Sequence, residues 1–111
     1  MTNVKADSTL DGMQTQKLRV NQRREVAQGV VEFTLADPNN RLLPGVTAGA
    51  HIDVHMAPQL VRAYSLTQPS AGQDTPTYVV AVALSAQSRG GSSHLHQHVQ
   101  QGDSIEVGQV R

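Results

Sequence analysis

Five consecutive residues, Arg62-Ala63-Tyr64-Ser65-Leu66, place a guanidinium, an aromatic ring and a hydroxyl within one short run. In an extended chain, side chains two positions apart share a face and lie ~6.6 Å from each other. Arg62 and Tyr64 therefore point one way, and Ala63 and Ser65 the other. The arginine offers a rigid fork of donors matched to phosphate oxygens, and the tyrosine a flat apolar plate with a polar tip. Ser65 closes the run, where its hydroxyl or its backbone could reach a ring nitrogen. This is chemistry for a phosphorylated, planar, aromatic cofactor. A plain strand with an exposed arginine and a half-buried tyrosine accounts for the same letters.

A second stretch, Arg89-Gly90-Gly91-Ser92, points to an anion. Its two glycines let the backbone come close to a ligand. Gly91 or Ser92 can start a helix, whose first N–H groups and positive dipole end favour phosphate. The stretch is neither a dinucleotide fingerprint nor a Walker pattern. By itself it also fits an ordinary loop with a serine N-cap.

The histidines form two further groups. His94, His96 and His98 are spaced i, i+2, i+4, so His94 and His98 would share a helix face. The glutamate of a metalloprotease helix is missing between them, and the series is read as a solvated face without metal. His51, Asp53 and His55 share one face of a strand. With no G-x-S-x-G in the chain, they do not read as part of a hydrolase triad. Asp103 beside Gly102 reads as turn chemistry.

The elements that must position these residues are mostly strands. Residues 17–24 and 30–35 form a hairpin around Gln28-Gly29. The stretch from His51 to Met56 alternates, with Ile52, Val54 and Met56 on one face. Residues 60–66 carry the Arg-Tyr pair. Residues 77–84 are apolar on both faces and are predicted to be a central, well-buried strand. A helix begins at Gly91 or Ser92, presents Leu95 and Val99, and is closed by Gly102. Residues 104–107 form the last strand. Pro- and Gly-containing stretches at residues 37–40, 44–45 and 68–76 are loops. Six short strands with one helix before the last predict an all-β, antiparallel Greek-key barrel.

Bulk properties narrow the function class. The 111 residues suffice for one domain. The polar, aperiodic residues 1–16 read as a flexible N-terminal arm, leaving a barrel over 17–111. Lys+Arg and Asp+Glu both number 9, which argues against nucleic acid or an anionic membrane as partner. Cysteine is absent, which excludes disulfides and cysteine-ligated iron–sulfur clusters within these residues. No membrane span or signal peptide is legible, so the expected location is the cytoplasm.

Taken in register, the motifs resemble those of the flavin-binding barrel of the ferredoxin–NADP reductase superfamily. The resemblance is strongest to the reductase components of Rieske oxygenases, such as phthalate dioxygenase reductase and vanillate O-demethylase reductase. Arg62-Ala63-Tyr64-Ser65-Leu66 stands for the family's R-x-Y-S-L, and Gly49-Ala50-His51-Ile52-Asp53-Val54 for its G-x-H-I-D-V. Ala81-Val82, then Arg89-Gly90-Gly91-Ser92 and Gly102-Asp103, follow in the family order. The resemblance implies that Arg62 holds the flavin phosphate together with Gly90, Gly91 and Ser92 at the helix start. It implies that Tyr64 packs on the isoalloxazine, with Ala63 in the same motif, Ser65 near N5 and His51 beside the ring. Backbone at Ala81, Val82 and Ala83 would line the flavin chain. Ala83-Leu84 stands where relatives often carry a basic residue, which weakens one contact. FMN is the implied cofactor, with FAD the alternative.

The implied activity is electron transfer from NAD(P)H through flavin to an iron–sulfur centre and a Rieske oxygenase component. The nicotinamide-binding and 2Fe-2S domains are expected to be absent from these residues. The chain is thus expected to be a truncated reductase, not competent by itself for NADH turnover. A rival expectation is a non-catalytic barrel, or a degraded relative, that ignores flavin and covers the Arg62/Tyr64 face with another protein.

Overall fold

A computed structural model of the chain describes residues 15–57, 60–84 and 91–111. The elements are β1 (Gln16–Ala27), β2 (Val30–Ala36), β3 (His51–Ala57), β4 (Leu60–Ser65), β5 (Tyr78–Ala83), α1 (Gly91–His98) and β6 (Ser104–Val107). The arm predicted for residues 1–16 lies outside the described residues as far as residue 14. Gln16 already belongs to β1, paired with Val107 of β6.

The six strands form one antiparallel sheet in the order β4-β3-β6-β1-β2-β5. The last strand, β6, inserts between β3 and β1, the return connection of a Greek key. After β6 the chain keeps pairing along β3, with Gly108 N–H donating to Asp53 O at 2.8 Å and His51 N–H to Arg111 O at 2.8 Å. The sheet curls until its two outer strands approach, yet it does not close. A single bridge, Leu66↔Val80, joins the end of β4 to β5, supported by Thr67 N–H donating to Val79 O at 2.9 Å. This open seam is the main feature of the barrel.

Alternation sets the inner face. Leu18, Val20, Val31, Phe33, Leu35, Ile52, Val54, Val80, Val82 and Val107 are buried in one core cluster, joined by Leu95 and Val99 from the helix region. Burying this apolar face supplies the dominant favourable free energy of folding. The predicted central position of the fifth strand is corrected by the pairing order. β5 is an outer strand of the ladder. It reads as apolar on both faces because α1 and the end of β4 pack over it. The helix end is corrected as well: α1 stops at His98, and Gly102 (φ +95°) sits in the following turn.

The connections are tied down by specific contacts. Gly45 passes so close to the 68–76 loop that an added Cβ would lie 2.4 Å from the Gly72 carbonyl carbon, so no side chain fits there. Tyr78 is buried and its hydroxyl donates to the Pro44 carbonyl at 2.7 Å. Burial holds this phenol above its ordinary value of 10.0, and the nearby Asp74 charge pushes the same way. In the unfolded chain the phenol ionises first, so protons leave the unfolded state before the folded one. The stabilisation is complete below about pH 10 and is lost as pH rises through the folded value. Urea unfolding midpoints should therefore fall more steeply above about pH 10 in wild type than in Tyr78→Phe, which itself loses about 1 kcal/mol at neutral pH. Parallel alkaline losses in both proteins would refute this assignment. Among the described residues, no helix is long and apolar enough to cross a membrane.

Candidate functional site

β4 carries the arginine and tyrosine on the sheet's terminal strand. The register pairs Arg62 with Val54, Tyr64 with Ile52, Ala63 with Asp53 and Ser65 with His51. Residues directly opposite in a ladder share a face. Arg62 and Tyr64 therefore lie on the core side, with Val54 and Ile52, and Ala63 and Ser65 on the outer side with Asp53 and His51. Val54 and Ile52 are buried, Tyr64 is half-buried against the core, and Arg62 is exposed. The core-side face of an outer strand thus runs out of the core at Arg62, where the seam is open.

Arg62 has donors to spare. Among the described residues its recorded hydrogen bond is from Nη1 to the carbonyl of neighbouring Val61, at 2.9 Å. The ion pairs there are Arg24–Glu32 (3.0 Å) and Arg111–Asp53. An exposed guanidinium at the lip of a seam suits an anionic group. Tyr64 beside it, with one side on the core, suits a flat ring.

The helix comes to the same seam. α1 packs against both β4 and β5. Gly91 opens it and Ser92 follows in its first turn. Arg89 and Gly90 lie outside the described residues. Across the seam, extending the Leu66↔Val80 register sets Tyr64 level with Val82 and Arg62 level with Leu84. Val82 is buried, Ala81 partly exposed, and Ala83 and Leu84 exposed. Arg62, Tyr64, Val82 and Ala83 thus border the seam, over which α1 packs. Ser65 and His51 are neighbours on the outer side, both exposed, at the end of β4 and the start of β3.

The helix histidines do not all face water, contrary to the sequence expectation. His96 turns inward and its Nε2 lies 2.8 Å from the Val82 carbonyl. His94 and His98 do share a face, with ring centroids 5.1 Å apart. They border a cleft of about 390 Å³ with His55, Met56 and Glu106. Among the described residues no group of three or more His, Cys, Asp or Glu could hold a metal ion.

Sequence reasoning overlooked Arg23. A β-bulge between Val20 and Gln22 inserts one extra residue into β1, so Arg23 pairs with Phe33 and lands on the core side. Its guanidinium donates to three carbonyls at the end of α1: Leu95 O (3.1 Å), His96 O (2.8 Å) and Val99 O (3.0 Å). It also lies 5.5 Å from the centre of the Phe33 ring. The sequence signal was the Arg23-Arg24 pair, and simple alternation puts Arg23 on the wrong face.

No family model matches the chain. Individual proteins do. Over 90 residues it is 40% identical to the phthalate 4,5-dioxygenase oxygenase reductase subunit of Pseudomonas putida, covering 81% of this chain and 27% of the relative. It is 36% identical over 93 residues to the vanillate O-demethylase oxidoreductase of Pseudomonas sp. (strain HR199 / DSM 7063), covering 83% of this chain and 28% of the relative. Among solved structures, phthalate dioxygenase reductase superposes with a TM-score of 0.80 at 31% identity, covering 87% of this chain and 30% of that one. The chain is a homologue of oxygenase reductase subunits, built on the barrel of the ferredoxin–NADP reductase superfamily. It spans under a third of the length of these relatives. Kinship with flavin-dependent oxidoreductases, and the flavin-type barrel, follow directly from these matches.

Proposed function

We infer that the chain binds a flavin mononucleotide at the seam between β4 and β5, and acts as the flavin-carrying barrel of an NAD(P)H-dependent electron-transfer reductase. The observation that carries this reading is the exposed, donor-rich Arg62 beside half-buried Tyr64, on the strand over which α1 packs. Arg62 and the backbone at Gly90, Gly91 and Ser92 hold the phosphate. Tyr64 shelves the ring, Ser65 and His51 meet its edge round the end of β4 from the outer side, and Ala81, Val82 and Ala83 line the chain between.

When bound, the flavin supplies hydride acceptance and release of single electrons, which no side chain here can do. The barrel's task is to orient the ring and neutralise the phosphate. The nicotinamide donor, the iron–sulfur centre and the oxygenase component are handled outside these 111 residues, which contain no cysteine. FMN is favoured over FAD because the residues assigned here provide for one phosphate.

Titration of the chain into FMN, with flavin fluorescence as the signal, tests the reading. Saturable quenching in the micromolar range is expected, with FAD binding no tighter than FMN. Unchanged fluorescence through high micromolar protein would overturn it.

A further inference from the structure

Among the described residues two polar side chains tie α1 to the sheet, and neither belongs to the Arg62–Tyr64 pair. Arg23 reaches from the core side of β1 to the end of the helix. His96 reaches from the helix to β5. We propose that Arg23 and His96 are positioning residues for phosphate recognition, setting where the first turn of α1 stands relative to Arg62. This inference rests on the flavin reading above and extends it to residues that touch no ligand.

A helix of eight residues leaves most of its terminal carbonyls without intrahelical partners. Here no glycine closes the end. Three carbonyls at this end, those of Leu95 and His96 in the last turn and of Val99 just after it, converge on one guanidinium, with N···O distances from 2.8 to 3.1 Å. The cation also sits at the negative end of the helix dipole. A guanidinium offers five donors in a fixed planar fork, whereas an ammonium offers three on a flexible stem and orders these carbonyls less well. Phe33, buried at 1% exposure, backs the guanidinium at 5.5 Å and limits its movement.

Arg23 controls the far end of the helix, and rotation about that end would still swing the first turn. His96 removes this freedom, because its Nε2–H donates to the Val82 carbonyl at 2.8 Å. Leu95, at 2% exposure, fixes the adjacent face in the core. With the last turn of α1 tied to β1, β5 and the core at once, the short helix has one orientation and the N–H groups of its first turn keep one direction. An anion held by misaligned donors loses charge-assisted hydrogen bonds, whereas a stacked ring loses nothing. Phosphate binding should therefore be sensitive to Arg23 and His96, and ring binding should not.

The ratio of FMN to riboflavin affinity isolates this effect, since both ligands share the ring and only FMN carries the phosphate. A variant that merely unfolds part of the population weakens both ligands equally and leaves the ratio unchanged. Arg23→Gln and His96→Leu should each lower the ratio about tenfold, the scale of one charge-assisted hydrogen bond. Arg23→Lys should fall between wild type and Arg23→Gln. His96→Gln, whose amide can reach the same carbonyl, should restore most of the wild-type ratio. If riboflavin binds too weakly to titrate, the folded fraction from urea curves normalises the FMN data. A wild-type ratio retained in Arg23→Gln and His96→Leu overturns the positioning role while leaving the flavin site standing. A wild-type chain that takes up no FMN sinks the flavin reading itself, and this inference with it.

Discussion

Arg62→Ala should weaken FMN binding roughly 30- to 100-fold, the loss of about 2–3 kcal/mol carried by charge-assisted hydrogen bonds to a phosphate. Riboflavin, without that phosphate, should bind wild type and variant alike. The asymmetry follows from where the residue stands. Arg62 is exposed, its one recorded partner is the Val61 carbonyl, and it belongs to no ion pair among the described residues. Its removal leaves no buried charge uncompensated, so the fold should lose under about 0.5 kcal/mol. Arg62→Lys should recover part of the affinity, because the charge remains and the bidentate geometry does not. Isothermal titration of the three proteins with both ligands checks this. Equal FMN affinity in wild type and Arg62→Ala would place the phosphate elsewhere.

Phe33→Ala is expected to have the largest effect on stability, about 3–5 kcal/mol. Phe33 is the one phenylalanine of the chain, is 1% exposed, and faces the centre of the core from β2. Its loss opens a cavity and strips the apolar backing from Arg23, an inward-pointing cation that depends on its surroundings. For a domain whose total stability is of the order of 5–15 kcal/mol, that is a large share. Phe33→Leu should cost well under half as much, since most of the volume is retained. Urea unfolding followed by far-UV circular dichroism measures both. A loss below about 1 kcal/mol in Phe33→Ala would mean that the ring does not occupy the core.

The strands were largely legible because their signals are local. Ile52 and Val54 against His51, Asp53 and His55 alternate with period two, and the structure buries the first pair. The same period put Arg62 and Tyr64 on one face and Ser65 on the other, as the β3–β4 register has it. The glycine at the β1–β2 turn, with φ +73°, was legible for a similar reason: few other residues adopt that backbone. Family membership was readable too, since the Arg-x-Tyr-Ser-Leu and Arg-Gly-Gly-Ser motifs survive as contiguous text.

Three features depended on partners distant in sequence. β5 looked central because it is apolar on both sides, but burial reports what covers a strand, not how many strands pair with it; α1 covers this one. Gly102 looked like the end of the helix because glycine often is, whereas the end is capped by Arg23, more than seventy positions away. Arg23 itself faces inward only because one extra residue in β1 shifts the alternation at Val20/Gln22. Backbone preference and hydrophobic period act over a few residues, and these determined the strands, the turns and the motif's face. The seam, the inward arginine and the seat of the helix come from contacts between segments far apart in the chain, which only the folded arrangement brings together.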